Sequence, residues 1–289
     1  MKIKYTDYLY LLPTFLLLFI VSFYPLLRTI QLSLTEYDLT YMKEPKFIGL
    51  NNYFILLKDE NFITSLYATL IFTFITVAVE MILGLIMALV LNENFLGRGI
   101  IRTILILPWG VPAVVEAQMW KFLYNDQYGA INDILYRLGI IHEYKAWLAK
   151  PDTAMMALIT AEAWATSIFI GLILLGGLQS IPEDLYEAAK VDGAERMKRF
   201  IYITLPLLKH AFVVALTFRT IQAFFAFDVI YVMTGGGPGG STRVLSIYAY
   251  DTYFKYLNFG YGSCIAIIHF LLGFILALLY LRMMKIRLE

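Results

Sequence analysis

Disulfide chemistry is closed to this chain. Its 289 residues include one cysteine, Cys264, so no internal bridge can form. Histidine is almost as scarce: His142, His210 and His269 stand apart from one another and from Cys264, leaving no set at metal-ligand spacing, and all read as structural. Charged residues make up only 16% and the formal net charge is +1, which gives no reason to propose nucleic acid as a partner. A phosphate-cradling glycine–lysine loop is missing as well, because GGGPGG at 235–240 has no Lys-Ser or Lys-Thr after it. The chain therefore carries no cofactor of its own, and any ATP must be handled elsewhere. No nucleophile with a base beside it stands in the apolar runs, which sets aside an intramembrane enzyme.

What is abundant is apolar surface. Hydrophobic residues reach 60% and the mean hydropathy is +0.70, well above ordinary soluble domains. This predicts an all-α, polytopic membrane protein with a single domain, 1–289. Six runs are long enough to cross a bilayer core of about 30 Å: approximately 8–27, 65–91, 103–120, 153–178, 211–234 and 259–281. The first, behind Lys2 and Lys4, is long for a signal peptide and lacks a small-x-small cleavage site, so it reads as a retained helix. Between the first two runs, FIGLNNYFILL suggests a short amphipathic piece at the outer surface. The third run holds Pro108, Pro112 and Glu116 and is expected to be one kinked span. TGGGPGGST, 234–242, is too rich in glycine for a helix and by composition is a flexible connector. Six spans put both termini on one side. Lys and Arg are denser in the segments on that side, including Arg98, Arg102 and the Arg282, Lys285 and Arg287 ending, so the termini are expected in the cytoplasm, with the protein in the inner membrane.

The longest charged stretch on the same side is 179–208, QSIPEDLYEAAKVDGAERMKRFIYITLPLL. Ser180 with Glu183 reads as a capping box and Pro182 suits a first helical turn. A short helix should then run to Asp192-Gly193, where glycine permits a turn and Asp192 could cap a second helix reaching about Thr204. Pro206 should bend the chain before the next span. The local prediction is a helix-turn-helix elbow outside the membrane, with small residues Ala188, Ala189, Gly193 and Ala194 at its bend and Glu187 among them. An ordinary amphipathic loop has the same local features.

The whole pattern is more specific. EAAKVDGAERMKRFIYITLPLL, through Glu187, Ala188, Ala189, Gly193, Ile203, Leu205 and Pro206, resembles the EAA loop of binding-protein-dependent ABC importer permeases. RTILILPWGVPAVV resembles the same family, and RTIQAFFAFDVIYVMTGGGPGGST resembles its sugar-permease branch, so the likeness covers most of the chain. It implies the type I ABC importer permease fold and a transport subunit rather than an enzyme. It also implies four kinds of partner: a second, homologous permease; a cytoplasmic dimer of ATP-binding subunits, holding ATP and Mg; an extracytoplasmic sugar-binding protein; and the sugar, a disaccharide or oligosaccharide. Membrane lipid surrounds the assembly. Glu187, Ala188, Ala189, Asp192, Gly193, Ala194 and Pro206 are then the residues that couple this chain to the ATPase, and the glycine segment becomes an outer loop near the binding protein.

Ionisable groups inside spans cost about 2.5–3.5 kcal/mol each near a helix centre, so Glu80, Glu116, Glu162, Arg219 and Asp228 should face a bundle interior or a wet cavity. Helical spacing puts Glu162, Thr166 and Phe169 on one face of the fourth span and Arg219, Gln222, Ala223 and Ala226 on one face of the fifth. With Trp164 and Phe225 nearby, these supply the mixture of hydroxyl-binding groups and rings that a sugar needs. The resemblance agrees, because the family's sugar site lies on the two helices flanking the EAA loop. Glu162 and Arg219 could instead pair with each other, and Glu80 and Glu116 read as structural. An ion-coupled secondary transporter, relaying protons through carboxylates such as Glu80 and Asp228, is the alternative.

Overall fold

The computed structural model describes residues 5–285; Lys2, Lys4 and Arg287 lie outside the described residues. Helices dominate: α1 (Tyr5–Leu18), α2 (Tyr24–Ser33), α3 (Asn51–Leu56), α4 (Glu60–Asn92), α5 (Arg98–Ile106), α6 (Ala113–Leu123), α7 (Ala130–Arg137), α8 (Pro151–Gln179), α9 (Glu183–Val191), α10 (Arg196–Arg199), α11 (Leu205–Phe224), α12 (Asp228–Met233), α13 (Leu245–Tyr250) and α14 (Phe259–Lys285). Among the described residues, five helical stretches are long and apolar enough to cross a membrane, or six if a bent pair is one span, as a multi-pass membrane protein requires. Contacts divide the chain into two compact units, one from the residues up to 63 with 245–272 and the other from 64–244 with the residues from 273 on.

In the first unit, α1 and α2 are joined by one wide π-turn, Phe19–Phe23, so the helix continues to Ser33 rather than ending near 27. Its side chains from Leu12 to Leu27 are largely exposed and apolar, as a lipid-facing surface must be. A two-residue hairpin, β1 (Thr35–Glu36) on β2 (Lys46–Phe47), follows, with Thr35 opposite Phe47 and Glu36 opposite Lys46. The expected amphipathic piece is α3. Its buried Asn52 closes the hairpin's root, donating from Nδ2 to the carbonyls of Ser33 (2.9 Å) and Thr35 (2.8 Å).

Asp59, just before α4, accepts hydrogen bonds from the hydroxyls of Tyr248 and Tyr261. Partial burial by itself would raise its pKa. The two tyrosines and the backbone amides of Asn61 and Phe62 outweigh that and hold the carboxyl below its usual value. Since folding lowers this pKa, the stabilisation is complete above the unfolded-state value of about 3.9 and fades as pH falls through the lower folded value. Thermal unfolding in detergent should therefore show a loss of stability below about pH 4, and Asp59→Asn should flatten that part of the profile; an unchanged profile would remove Asp59 as its source.

In the second unit, α4, α8 and α11 pack around a core that includes Val77, Met81, Ile168, Leu174, Leu208 and Ala215. Two glycines set the helix spacing. A Cβ at Gly84 of α4 would lie 2.6 Å from Ile170 Cγ2 and 3.0 Å from the Ser167 carbonyl, and one at Gly177 of α8 would lie 2.6 Å from Ala211 Cβ and 2.9 Å from Leu208 Cδ1. Overfilling such a contact costs about 1–3 kcal/mol. Gly176, its neighbour, meets nothing within 4 Å. Gly177→Ala should thus lower the unfolding midpoint of the detergent-extracted protein while Gly176→Ala leaves it unchanged or raises it; equal effects at both would contradict the packing.

Two expectations about spans are corrected. The third is not one kinked helix: α5 and α6 meet at 97°. Pro108 starts a single 3-10 turn and Val111, directly before Pro112, is driven into extended geometry (φ −79°, ψ 131°), which breaks the helix. The fifth does not run from 211 to 234. One helix passes from Arg196 to Phe224, stops there, and α12 follows separately. Pro206 does not interrupt it, because the preceding turn, Phe200–Thr204, is a π-turn in which the Leu205 N–H reaches back to the Phe200 carbonyl and leaves room for the proline ring.

Candidate functional site

The elbow is two short helices. Ser180 does not form a capping box with Glu183; its Oγ donates back to the Gly177 carbonyl at 2.7 Å and Pro182 holds the N-cap position of α9. Nor does Asp192 cap the next helix. It is the C-cap of α9, and Glu195 precedes α10. Helix α9 ends in a Schellman motif: Ala194 N–H donates to the Ala189 carbonyl (2.8 Å) and Gly193 N–H to the Lys190 carbonyl (3.0 Å). That closure requires a left-handed residue, and Gly193 has φ +78°. The Glu-Ala-Ala to glycine spacing is thus the spacing of a helix end.

Glu187, Ala188, Asp192 and Gly193 are exposed on this elbow, Ala189 and Ala194 are half-buried, and Pro206 lies about three turns further on, also exposed. Sequence reasoning missed two contributors. Val191 is an apolar side chain 88% exposed at the tip. Tyr186 OH hydrogen-bonds Thr204 Oγ1 at 2.9 Å, tying α9 to the helix that leads into α11. Arg196 also reaches Glu93 at 2.6 Å, so the turn after α4 lies on the elbow's side, as the expected topology requires.

The helices flanking the elbow, α8 and α11, share a polar centre. The Arg219 guanidinium is 3% exposed and grips Glu80 with two bonds, Nε to Oε2 at 2.8 Å and Nη2 to Oε1 at 2.7 Å. Nη2 also reaches Glu162 Oε1 at 3.0 Å, and Nη1 donates to Gln222 Oε1 at 2.7 Å. Thr166 Oγ1 bonds Glu80 Oε1 at 2.5 Å and the Glu162 carbonyl at 2.6 Å. Spans two, four and five are therefore pinned by one forked cation, the geometry arginine offers and lysine does not.

Of the predicted site residues, Glu162, Thr166, Arg219 and Gln222 come together. Glu80, read as a structural acid, proves to be Arg219's main partner, and no local sequence signal distinguishes it. Phe169 stacks on Trp109 (5.9 Å between centroids) and Trp164 meets Trp120 edge-on (5.9 Å); Trp164, with Met87, Leu105, Pro108 and Val111, also lines a cavity of about 380 Å³. Ala223 is buried in the core. Phe225 and Ala226 lie past the end of α11, so Ala226 does not share the helical face of Arg219 and Gln222; the Phe225 ring instead lies on α14, 2.3 Å from where a Cβ at Gly273 would be. Asp228 is exposed in the first turn of α12. Among the described residues there is no cluster of three His, Cys, Asp or Glu side chains that could hold a metal.

A multi-pass bundle with an exposed helical elbow between two span helices defines a permease component. The chain belongs to the family of binding-protein-dependent transport system inner membrane components, whose pattern matches residues 80–285. It is 43% identical over 290 residues to the trehalose/maltose transport system permease protein MalF of Thermococcus litoralis, covering 99% of this chain and 97% of that one. It is 40% identical to the sulfoquinovosyl glycerol transport system permease protein SmoG of Agrobacterium fabrum (96% and 89% covered). A crystal structure of a bacterial ABC transporter that imports the acidic polysaccharide alginate contains a chain of the same fold, with TM-score 0.84, 23% identity, and 99% and 96% covered. The resemblance seen in the EAA pattern and the all-α permease fold are both borne out.

Proposed function

We propose that this chain is one permease subunit of an ATP-driven sugar importer, paired in the membrane with a second, homologous permease. A neutral disaccharide or short oligosaccharide is the cargo. The observation that carries the reading is the exposed Schellman elbow, Glu187 to Ala194, set between the two helices that share the Arg219 centre. It is supported by relatives named for trehalose and maltose transport.

In this reading the elbow lies in the cytoplasm with both termini and docks on one subunit of an ATPase dimer, where ATP and Mg are bound. The glycine segment 234–242 lies outside, against a sugar-binding protein. Closure of the ATPase moves α9, and the Tyr186–Thr204 bond passes that motion to α11. The sugar path runs beside Glu162, Trp164, Thr166, Phe169 and Gln222. Arg219 acts as a positioning residue, aiming Glu162 and Gln222 while its own charge is occupied by Glu80.

The test is to tag the chain, extract it gently from native membranes and identify what co-purifies. The expected result is a second permease and an ATPase whose hydrolysis, after reconstitution with the binding protein, rises with trehalose or maltose. A lone chain, or uptake driven by an ion gradient without ATP, would overturn the reading.

A further inference from the structure

Two polar groups on α6 are not used by the Arg219 centre. Glu116 is 5% exposed and its Oε1 has no hydrogen-bond partner; the indole Nε1 of Trp120, four residues on, is also sealed from solvent and without a partner. Residues four apart lie on one helical face, with Cβ atoms about 5–6 Å apart. Trp120 presents that face to Trp164 of α8 through their edge-on contact, and the electrostatic neighbours of Glu116 are Glu162 of α8 and Arg219 of α11. An acceptor and a donor thus stand side by side, unsatisfied, against the helices of the path. Buried polar groups are nearly always paired, so two adjacent exceptions call for a partner.

The partner's chemistry follows from the pair. The Glu116 carboxyl oxygen Oε1 can accept and an indole N–H only donates, whereas a hydroxyl does both. We propose that Glu116 and Trp120 form a hydroxyl-binding subsite for the cargo: Trp120 Nε1–H donates to a sugar hydroxyl oxygen, and that hydroxyl donates to Glu116 Oε1. The inference rests on the importer reading and narrows its substrate class. Glu80 and Glu162 already occupy the Arg219 guanidinium, so that cation is not free to hold an anionic saccharide, and a subsite built for hydroxyls suits a neutral one. The subsite lies on α6 directly after the 97° break, so its position depends on Pro112 and not on a straight third span.

The experiment uses the complete importer in proteoliposomes with saturating binding protein loaded with radiolabelled trehalose or maltose, and measures sugar delivered per ATP hydrolysed. Glu116→Leu removes the acceptor; Trp120→Phe removes only the N–H and keeps a ring. Each should lower the ratio about tenfold, the scale of a lost hydrogen bond to a charged or committed partner, while binding-protein-stimulated hydrolysis persists. If Glu116→Leu fails to assemble, Trp120→Phe decides the matter by itself. An unchanged ratio with Trp120→Phe overturns the subsite and leaves the importer intact. Wild-type hydrolysis that does not respond to loaded binding protein overturns the importer reading, and this inference with it.

Discussion

Gly193→Val is expected to abolish sugar uptake while the chain remains in the membrane at normal abundance. The residue sits at φ +78° with nothing near the position of a Cβ, so the penalty is conformational rather than steric within this chain. A non-glycine residue pays roughly 1–2 kcal/mol in this region, and a β-branched one more. Two kcal/mol is about a thirtyfold shift in a local equilibrium, enough to open the Schellman closure and displace Val191 through Ala194. Gly193→Asn is the informative partner, because asparagine tolerates the left-handed region. It should retain most activity if backbone geometry is what the elbow needs. Glu187→Lys, which reverses the charge of an exposed side chain just over one turn before the helix end, should likewise abolish transport together with sugar-stimulated hydrolysis. Normal sugar-stimulated ATP hydrolysis in Gly193→Val and Glu187→Lys would sink the coupling role.

The second large effect concerns the Arg219 centre. Arg219→Met would strand Glu80, which is fully buried, and deprive Glu162 of its partner. Removing one member of a buried ion pair typically costs about 3–5 kcal/mol, because the remaining charge is left without compensation. The expected result is a marked fall in the unfolding midpoint and in membrane abundance. Adding Glu80→Gln to Arg219→Met should recover most of the stability, since removing both charges together is often neutral, and glutamine can still accept from Thr166. Transport need not return with it, because Glu162 and Gln222 would no longer be aimed. A single variant as stable as wild type would show that the pair is not the link between α4 and α11.

Much of the site was readable from residue spacing. Glu162, Thr166, Arg219 and Gln222 fall on predictable helical faces, and those faces do meet. The elbow's position followed from a polar stretch between apolar runs, and its glycine from the need for a turn. The details that failed share one cause. Capping by Ser180 and Asp192 and a single kinked third span were inferred from local preferences, about 1 kcal/mol for a cap and about 3 kcal/mol for a proline, and neighbouring turns offered other solutions. The π-turn at Phe200–Thr204 accommodates Pro206. The Schellman closure takes Asp192 as a C-cap. Pro108 opens a 3-10 turn and Pro112 follows an extended Val111, so the helix breaks between them.

Glu80 was legible as a costly acid in an apolar run, but its partner lies 139 residues away and no periodicity connects them. Phe225 and Ala226 were placed on a helix that ends just before them. By itself, the sequence determined what depends on composition and short spacing: a membrane-spanning helical chain, the position of the elbow between two spans, the glycine at its bend and the family pattern, because hydropathy and helix periodicity are local quantities. Only the tertiary structure decided which carboxylate holds Arg219, which aromatic rings pair, and that Glu116 and Trp120 stand together without partners. Those depend on which helix faces are pressed against one another, and that is set by close packing at glycines such as Gly84 and Gly177 rather than by any residue's own preference.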